Sequence, residues 1–158
     1  MMWNERRIES TGDGSFALRL SEEERALLRV LPVELRSLLE ARPDDPGLRR
    51  LFPPAYDDEQ DEAAYRELMG SELLDGRRRA LDVLAETAKA ERLTGEQAQA
   101  WLTALNDLRL VLGTRLDVSD ESLLQVAEDD PRAPELALYA YLSWLQEQLI
   151  EALSSELA

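Results

Sequence analysis

The segment from Trp101 to Asp117 constrains the fold most strongly, because its residues follow the periodicity of an amphipathic helix. Five leucines recur along it at helical spacing and form one apolar face: Leu102, Leu105, Leu108, Leu112 and Leu116. Beside this face, Asn106 and Arg109 interrupt a row that would otherwise pack, and Asp107 also lies next to the core. Buried polar groups need partners, because burial without one is costly. These residues therefore predict either an internal polar network or a binding surface.

Helix-start signals divide the remainder of the chain. Ser21 and Glu24 form a capping box, and the helix that they open should be kinked or split by Pro32 before it ends at Arg42. Thr94 caps the helix that ends near Asp117. Further helices are predicted over 58–91, with breaks allowed at its two glycines (Gly70 and Gly76), over 120–128, and over 134–155.

The first 20 residues predict a short β-hairpin. Phe16, Leu18 and Leu20 alternate with less apolar residues, and the preceding Thr11–Gly14 segment is a cluster of turn formers. The predicted fold is therefore mainly α, a helical bundle of four to five helices with a short N-terminal β-hairpin. We expect one helical domain over 1–158, in which 1–20 is the hairpin and 21–158 the helices.

The composition excludes several classes of chemistry. The 158 residues include no cysteine and no histidine, so thiol catalysis, disulfides, histidine-based triads and the usual zinc, iron or copper sites are ruled out. We expect no enzymatic activity, no cofactor and no metal. No apolar run approaches the ~20 residues of a membrane span, and the first residues are charged, so we expect a cytoplasmic protein without membrane contact.

The charge is negative and unevenly distributed. The net charge is −15, and residues 1–56 hold 9 basic and 10 acidic groups whereas residues 57–158 hold 9 and 23. An acidic body repels phosphate and disfavours DNA. A protein partner fits this charge better, and a homodimer through the last helix is a further option.

The strongest candidate site combines polar residues of two predicted helices: Asn106, Asp107, Arg109, Arg115 and Arg77. Asn106 and Arg109 share a side at i,i+3 spacing, and Gly113 allows close approach of another segment. One interpretation is an internal network in which Arg77 pairs with Asp107 or with a C-terminal acid. The alternative is a specificity patch for a partner.

A basic patch is the second candidate. It would combine Arg77–Arg79 with Arg49–Arg50. Consecutive helical residues point ~100° apart, so the three arginines cannot share one face. Asp75 lies four residues before Arg79 and Asp82 four after Arg78, which predicts local ion pairs. A solvated, paired surface is favoured over a DNA-binding one.

Four segments give the chain its resemblance to a known family. They are FALRLSEEERALLRVLPVELRSLLE, DPGLRRLFPPAYDDE, ELLDGRRRALDVL and LNDLRLVLGTRLDV, of which the last two are the more specific. On these segments the chain resembles the actinomycete AosR-like family of oxidative stress regulators over nearly its whole length. The residues typical of that family are Arg49, Phe52, Pro53, Tyr56, Asp75, Arg77, Asn106, Arg109, Gly113, Thr114 and Arg115.

The resemblance implies a small, largely helical cytoplasmic regulator. It would act in transcription during oxidative stress through contact with a sigma factor or RNA polymerase, by a helix face or by a loop that includes Arg49, Arg50, Phe52 and Tyr56. Because no cysteine is present, we expect the chain not to be a thiol sensor itself. The alternative is a regulator that binds DNA directly through Arg77–Arg79 and Arg49–Arg50.

Overall fold

A computed structural model describes residues 6–42, 45–48, 50–51, 59–118 and 130–156, with the backbone alone at 59–62 and 64–73. Its elements comprise three short strands, one 3-10 turn and four long helices within these ranges. They are β1 (Ile8–Ser10), β2 (Ser15–Leu18), α1 (Glu22–Ala41), the 3-10 turn Pro46–Leu48, α2 (Glu59–Thr87), β3 (Arg92–Thr94), α3 (Gly95–Leu116) and α4 (Ala133–Glu156). The mainly α prediction is confirmed.

The N-terminal hairpin is present, but it belongs to a larger sheet than predicted. The strands are antiparallel in the order β1-β2-β3, and Phe16 of β2 lies opposite both Ser10 and Leu93. Gly12 and Gly14 adopt φ of +84° and +85° in the turn, a conformation that favours glycine. The predicted helix over 58–91 was too long at its end, because α2 ends at Thr87; β3, which was not predicted, follows at Arg92–Thr94.

Helix α1 begins at the predicted capping box. The Ser21 hydroxyl accepts from the Glu24 N–H, and the Glu24 side chain accepts from the Ser21 N–H. The prediction that Pro32 splits the element was wrong, because one helix runs from Glu22 to Ala41. Proline removes a backbone hydrogen bond here, but Pro32 is buried in the face that packs on the bundle, and this packing holds both halves together.

Helices α2 and α3 pack against each other. Helix α2 is continuous through Gly70 and Gly76. Helix α3 has its own capping box, between Thr94 and Gln97, and its end is marked by Asp117 in the left-handed conformation (φ +54°). Both predicted ends of α3 are therefore confirmed to within one or two residues.

The core of α3 is wider than the leucine pattern indicated. Leu105, Leu108 and Leu116 are buried as expected, whereas Leu102 and Leu112 are only half-buried. Other buried positions of α3 are taken by Trp101, Ala104 and Val111, among others. The reason is that α3 packs on α2 at one side and on α4 at the other, so its buried arc exceeds one stripe.

The helices pack mainly in chain order, and α4 also covers β1. Helix α1 packs on α2 but contacts α3 much less, which leaves an opening between α1 and the α3–α4 pair. The helix predicted over 120–128 lies outside the described residues. The single domain over 1–158 stays a prediction.

Candidate functional site

Arg77 and Asp107 form an ion pair between α2 and α3. Arg77 Nη1 donates to Asp107 Oδ1, and Arg77 Nη2 donates to the Leu51 carbonyl oxygen at 2.8 Å. The Asp107 side chain is 1% exposed and that of Arg77 is 24% exposed. One guanidinium therefore joins two helices to the segment that follows the 3-10 turn. The pairing of Arg77 with Asp107, one of the two partners predicted, is confirmed.

The Asp107 carboxylate depends on this arginine. Burial raises its pKa above the ordinary value, and the hydrogen bond and charge of Arg77 only partly offset that effect. The second oxygen, Oδ2, has no hydrogen-bond partner among the described residues. Since a buried carboxylate is costly unless paired, Asp107 makes the fold sensitive to the presence of Arg77.

Asn106 and Arg109 lie on another side of α3. Arg109 Nη2 donates to Asn106 Oδ1 at 3.2 Å, and Gln146 Nε2 of α4 donates to the same oxygen at 3.3 Å. These contacts join α3 to α4, whereas Asp107 joins α3 to α2. Neighbouring helical residues point ~100° apart, so these four candidate residues form two separate sets of contacts on different packing faces of α3 and not one network.

Arg115 and Arg50 stand at the C-terminal end of α3. Arg115 is exposed and passes close to Gly47, where a β-carbon would lie 3.2 Å from Arg115 Nε. Arg50 is half-buried and its Nη1 donates to the Val118 carbonyl oxygen at 3.2 Å. Arginine at a helix C-terminus complements the partial negative charge there.

Gly113 allows the side chains of Arg50 and Tyr139 to come close to the α3 backbone. A β-carbon at this position would lie 2.8 Å from Tyr139 Cε2, 2.9 Å from Arg50 Nη1 and 3.3 Å from the Val118 oxygen. The expectation that another segment approaches Gly113 is confirmed, although side chains approach it more closely than backbone does.

The segment that carries Arg50 is anchored to the bundle. Leu48 and Leu51 are 1% and 3% exposed, and the Leu51 carbonyl receives Arg77. We call residues 45–48 and 50–51 the docked segment. Of the predicted interaction loop, only Arg50 belongs to it, since Arg49, Phe52 and Tyr56 lie outside the described residues.

The three consecutive arginines of α2 diverge, as predicted. Arg77 points inward, Arg79 is exposed, and Arg78 contacts Asp75 at 3.3 Å and Glu40 of α1 at 3.7 Å. The predicted local pairs were wrong in their partners. Asp75 pairs with Arg78, and Asp82 pairs with Arg36 of α1 because α1 packs beside α2. The arginine run therefore presents no common basic face.

A buried polar cluster near the sheet was not predicted. Arg7 Nε lies 3.1 Å from Glu24 Oε1, the Tyr141 hydroxyl donates to Glu24 Oε2 at 2.7 Å, and Gln148 Oε1 accepts from the Arg7 and Ile8 N–H groups. Burial raises the pKa of Glu24, but the hydrogen bonds from Tyr141 and Ser21 and the charge of Arg7 outweigh it and lower the pKa.

This cluster joins β1, α1 and α4. The only sequence signal was Glu24, and its role in the capping box gave no sign that it also takes part in this cluster.

In the described part of the chain, no group of three or more Asp or Glu side chains is arranged to hold a metal ion. The helices of the described ranges all lack the combination of length and apolar character that a membrane span requires.

Comparison with known proteins identifies the family. A family model described as a domain of unknown function (DUF2017) matches residues 5–153. The chain belongs to this family. Curated relatives carry the name AosR, so the chain is a member of an AosR-like family within DUF2017.

Three mycobacterial relatives show the extent of the sequence similarity. The Mycobacterium leprae AosR protein is 37% identical over 130 residues, which cover 71% of this chain and 60% of that protein. The proteins named oxidative stress regulator AosR from Mycobacterium tuberculosis and Mycobacterium bovis are 30% identical over 185 residues, covering 92% of this chain and 85% of theirs. No solved structure matches the chain.

Proposed function

We propose that this chain is a regulatory protein of the oxidative-stress response that acts by contact with a sigma factor or an RNA polymerase subunit. The role in oxidative stress is supported by relatives that carry the name oxidative stress regulator. Because the 158 residues include no cysteine, we assign thiol sensing to the partner and not to this chain. The role requires a cytoplasmic location, which cell fractionation would test.

The docked segment is the observation that carries the proposal of a protein contact. Two arginines fix it, since Arg77 donates to the Leu51 carbonyl and Arg50 donates to the Val118 carbonyl. A loop held by a rigid scaffold is a common site of recognition. Ordering it before binding reduces the entropy lost when a partner binds. The exposed Arg115 beside Gly47 extends the same surface.

The charge of the chain supports a basic partner surface. With a net charge of −15, association should be accelerated by opposite charge and should weaken as salt is added, since the screening length falls from about 10 Å at 0.1 M to about 3 Å at 1 M. The same charge opposes DNA binding, and Arg77 is committed to Asp107. Direct DNA binding is therefore the weaker alternative.

The experiment is a capture of the tagged protein from nuclease-treated native lysate, with and without peroxide, followed by a binding titration with the purified sigma factor or polymerase subunit. We expect Arg50→Ala to weaken that binding because it releases the docked segment from Val118. Arg79→Ala is the matched control, because Arg79 is an exposed arginine of α2. Equal binding by both variants would contradict the assigned surface.

Two further measurements separate the alternatives. A mobility shift of a promoter fragment by the purified chain, abolished in Arg79→Ala, would favour direct DNA binding. Sedimentation at several concentrations would show whether the chain forms the homodimer that stays a prediction. Absence of enzymatic activity also stays a prediction.

A further inference from the structure

An apolar groove lies between α1 and the α3–α4 pair. Its walls include Leu31 and Leu38 of α1, Leu112 of α3 and Leu138 of α4, all half-buried. Its volume is about 110 Å³. An apolar cavity of about 150 Å³ binds benzene, so the groove has room for a single aliphatic side chain. Of the described residues of the candidate site, Arg115 alone lines this groove.

Opposite charges stand on the two sides of this groove. Glu34 of α1 and Arg115 of α3 both line it, and both are exposed. Neither side chain has an ion pair within the described ranges. Two residues beyond Glu34 on the same helix, Arg36 pairs with both Asp82 and Glu40. The groove therefore offers an apolar centre with one carboxylate and one guanidinium at its edges, neither of them ion-paired with another described residue.

We infer that this groove binds an amphipathic helix of a partner protein, which inserts one leucine-sized side chain and places an acidic residue against Arg115 and a basic residue against Glu34. The groove walls are helices, which favours a helix packed between them over an added strand. The apolar anchor supplies affinity and the two charges fix its direction. The inference rests on the proposed function, because it specifies the chemistry of the partner.

A second copy of the chain fits the groove less well. Its exposed large apolar residues within the described ranges are Val30, Val33 and Ile150. Val30 and Val33 are shorter than leucine and lie on α1 itself, which leaves Ile150 as the one exposed residue of leucine size among them. A helix from another protein is therefore the occupant that these observations favour.

The test is methyl NMR of the full chain, labelled at leucine and valine, during titration with a stapled amphipathic peptide of about 15 residues. The peptide carries one central leucine, with aspartate one turn to one side and lysine one turn to the other. Two control peptides replace the leucine with aspartate, or both charged residues with glutamine. We expect the first peptide to shift the methyl signals of Leu31, Leu38, Leu112 and Leu138.

Charge variants on exposed positions keep the fold intact during the test. We expect Arg115→Glu to weaken peptide binding about fivefold, the change that about 1 kcal/mol produces at an exposed ion pair. Arg29→Glu changes an exposed arginine of α1 that does not line the groove, and it should leave the affinity unchanged. The glutamine peptide should bind equally to wild type and Arg115→Glu.

Several outcomes would overturn the inference. One is a set of chemical-shift changes confined to methyl groups outside the groove, and another is that the peptide with aspartate in place of leucine binds as tightly as the leucine peptide. The others are that no peptide binds, or that the groove signals are lost through self-association of the chain alone. Binding to the polymerase or sigma factor is scored separately. If that binding persists while every peptide fails, the groove assignment is wrong and the proposed function stands. If the peptide binds but neither the sigma factor nor the polymerase subunit does, the groove assignment stands and the proposed function is wrong.

Discussion

Arg77→Met should destabilise the protein strongly. The substitution keeps most of the apolar stem of Arg77 and removes the charge that faces Asp107. Because the Asp107 side chain is 1% exposed, water cannot replace the lost cation. Removal of one member of a buried pair costs about 3–5 kcal/mol. For a chain of this size, each kcal/mol corresponds to roughly 2–4 °C in Tm, so we expect Tm to fall by roughly 6–20 °C.

The opposite single change should cost less. Asp107→Leu leaves Arg77 without its carboxylate, but the Arg77 side chain is 24% exposed and still donates to the Leu51 carbonyl. A long arginine can turn its head toward solvent, whereas Asp107 cannot. The double variant restores a neutral interior, and buried pairs replaced by apolar residues are commonly neutral or stabilising by about 1–4 kcal/mol.

The cost of Arg77→Met should depend on pH with a defined sign. Burial raises the pKa of Asp107 in the folded chain above the ordinary 3.8. A folded-state pKa that is raised favours folding below the unfolded pKa, and this stability is lost as pH rises through the folded pKa. Arg77→Met should raise the folded-state pKa of Asp107 further. The stability lost in Arg77→Met should therefore be small near pH 4 and should grow toward neutral pH.

Urea unfolding of the wild type, both single variants and the double variant, each at acidic and neutral pH, measures all of these quantities. The four proteins form a double-mutant cycle, which isolates the coupling of the two side chains. A cost of less than about 1 kcal/mol for Arg77→Met at neutral pH, the typical scale of an exposed pair, would refute the role of Arg77 as the cation that Asp107 requires. A larger loss of stability in Asp107→Leu than in Arg77→Met would refute it as well.

Two other variants test the packing and the second polar cluster. Gly113→Ala should cost about 1–3 kcal/mol in thermal unfolding, because its methyl group would stand 2.8 Å from the Tyr139 ring; an unchanged Tm would contradict this contact. Tyr141→Phe should cost about 1.5–3 kcal/mol at neutral pH, the value of a hydrogen bond to a charged group. Because the pKa of Glu24 is lowered, its stabilising contribution is present above the ordinary 4.5 and is lost as pH falls through the folded pKa. Urea midpoints of Tyr141→Phe and wild type should therefore converge in acid, and a constant difference would refute the assignment.

The helix starts were predictable because their signals are local. Ser21 with Glu24 and Thr94 with Gln97 each satisfy orphan N–H groups within one turn. Strand β3 was not predictable in this way. It has three residues, only Leu93 among them is buried, and its hydrogen bonds run to the distant β2. The continuity of α1 through the buried Pro32 is likewise a matter of tertiary packing, which a local rule does not contain.

The candidate site was predictable in its members and not in its grouping. The polar residues beside the leucine face of α3 are the ones that make interhelical contacts. Whether Arg77 meets Asp107 or an acid of the C-terminal helix depends on how α2 packs against its neighbours, and periodicity alone does not fix that packing. The contact between Glu24 and Tyr141 joins helices from opposite ends of the chain, so no spacing rule could have predicted it.

Three described positions of the family resemblance differ in what their substitution would change. Arg77 and Gly113 act inside the fold, one as the cation for Asp107 and the other as the space for Tyr139 and Arg50. Substitutions there change stability first, and any loss of partner binding would follow from it. Arg115 is exposed and has no ion pair within the described residues, so its substitution should affect binding with little effect on unfolding. A variant at Arg115 therefore tests function directly, whereas variants at Arg77 or Gly113 test it only after folding has been measured.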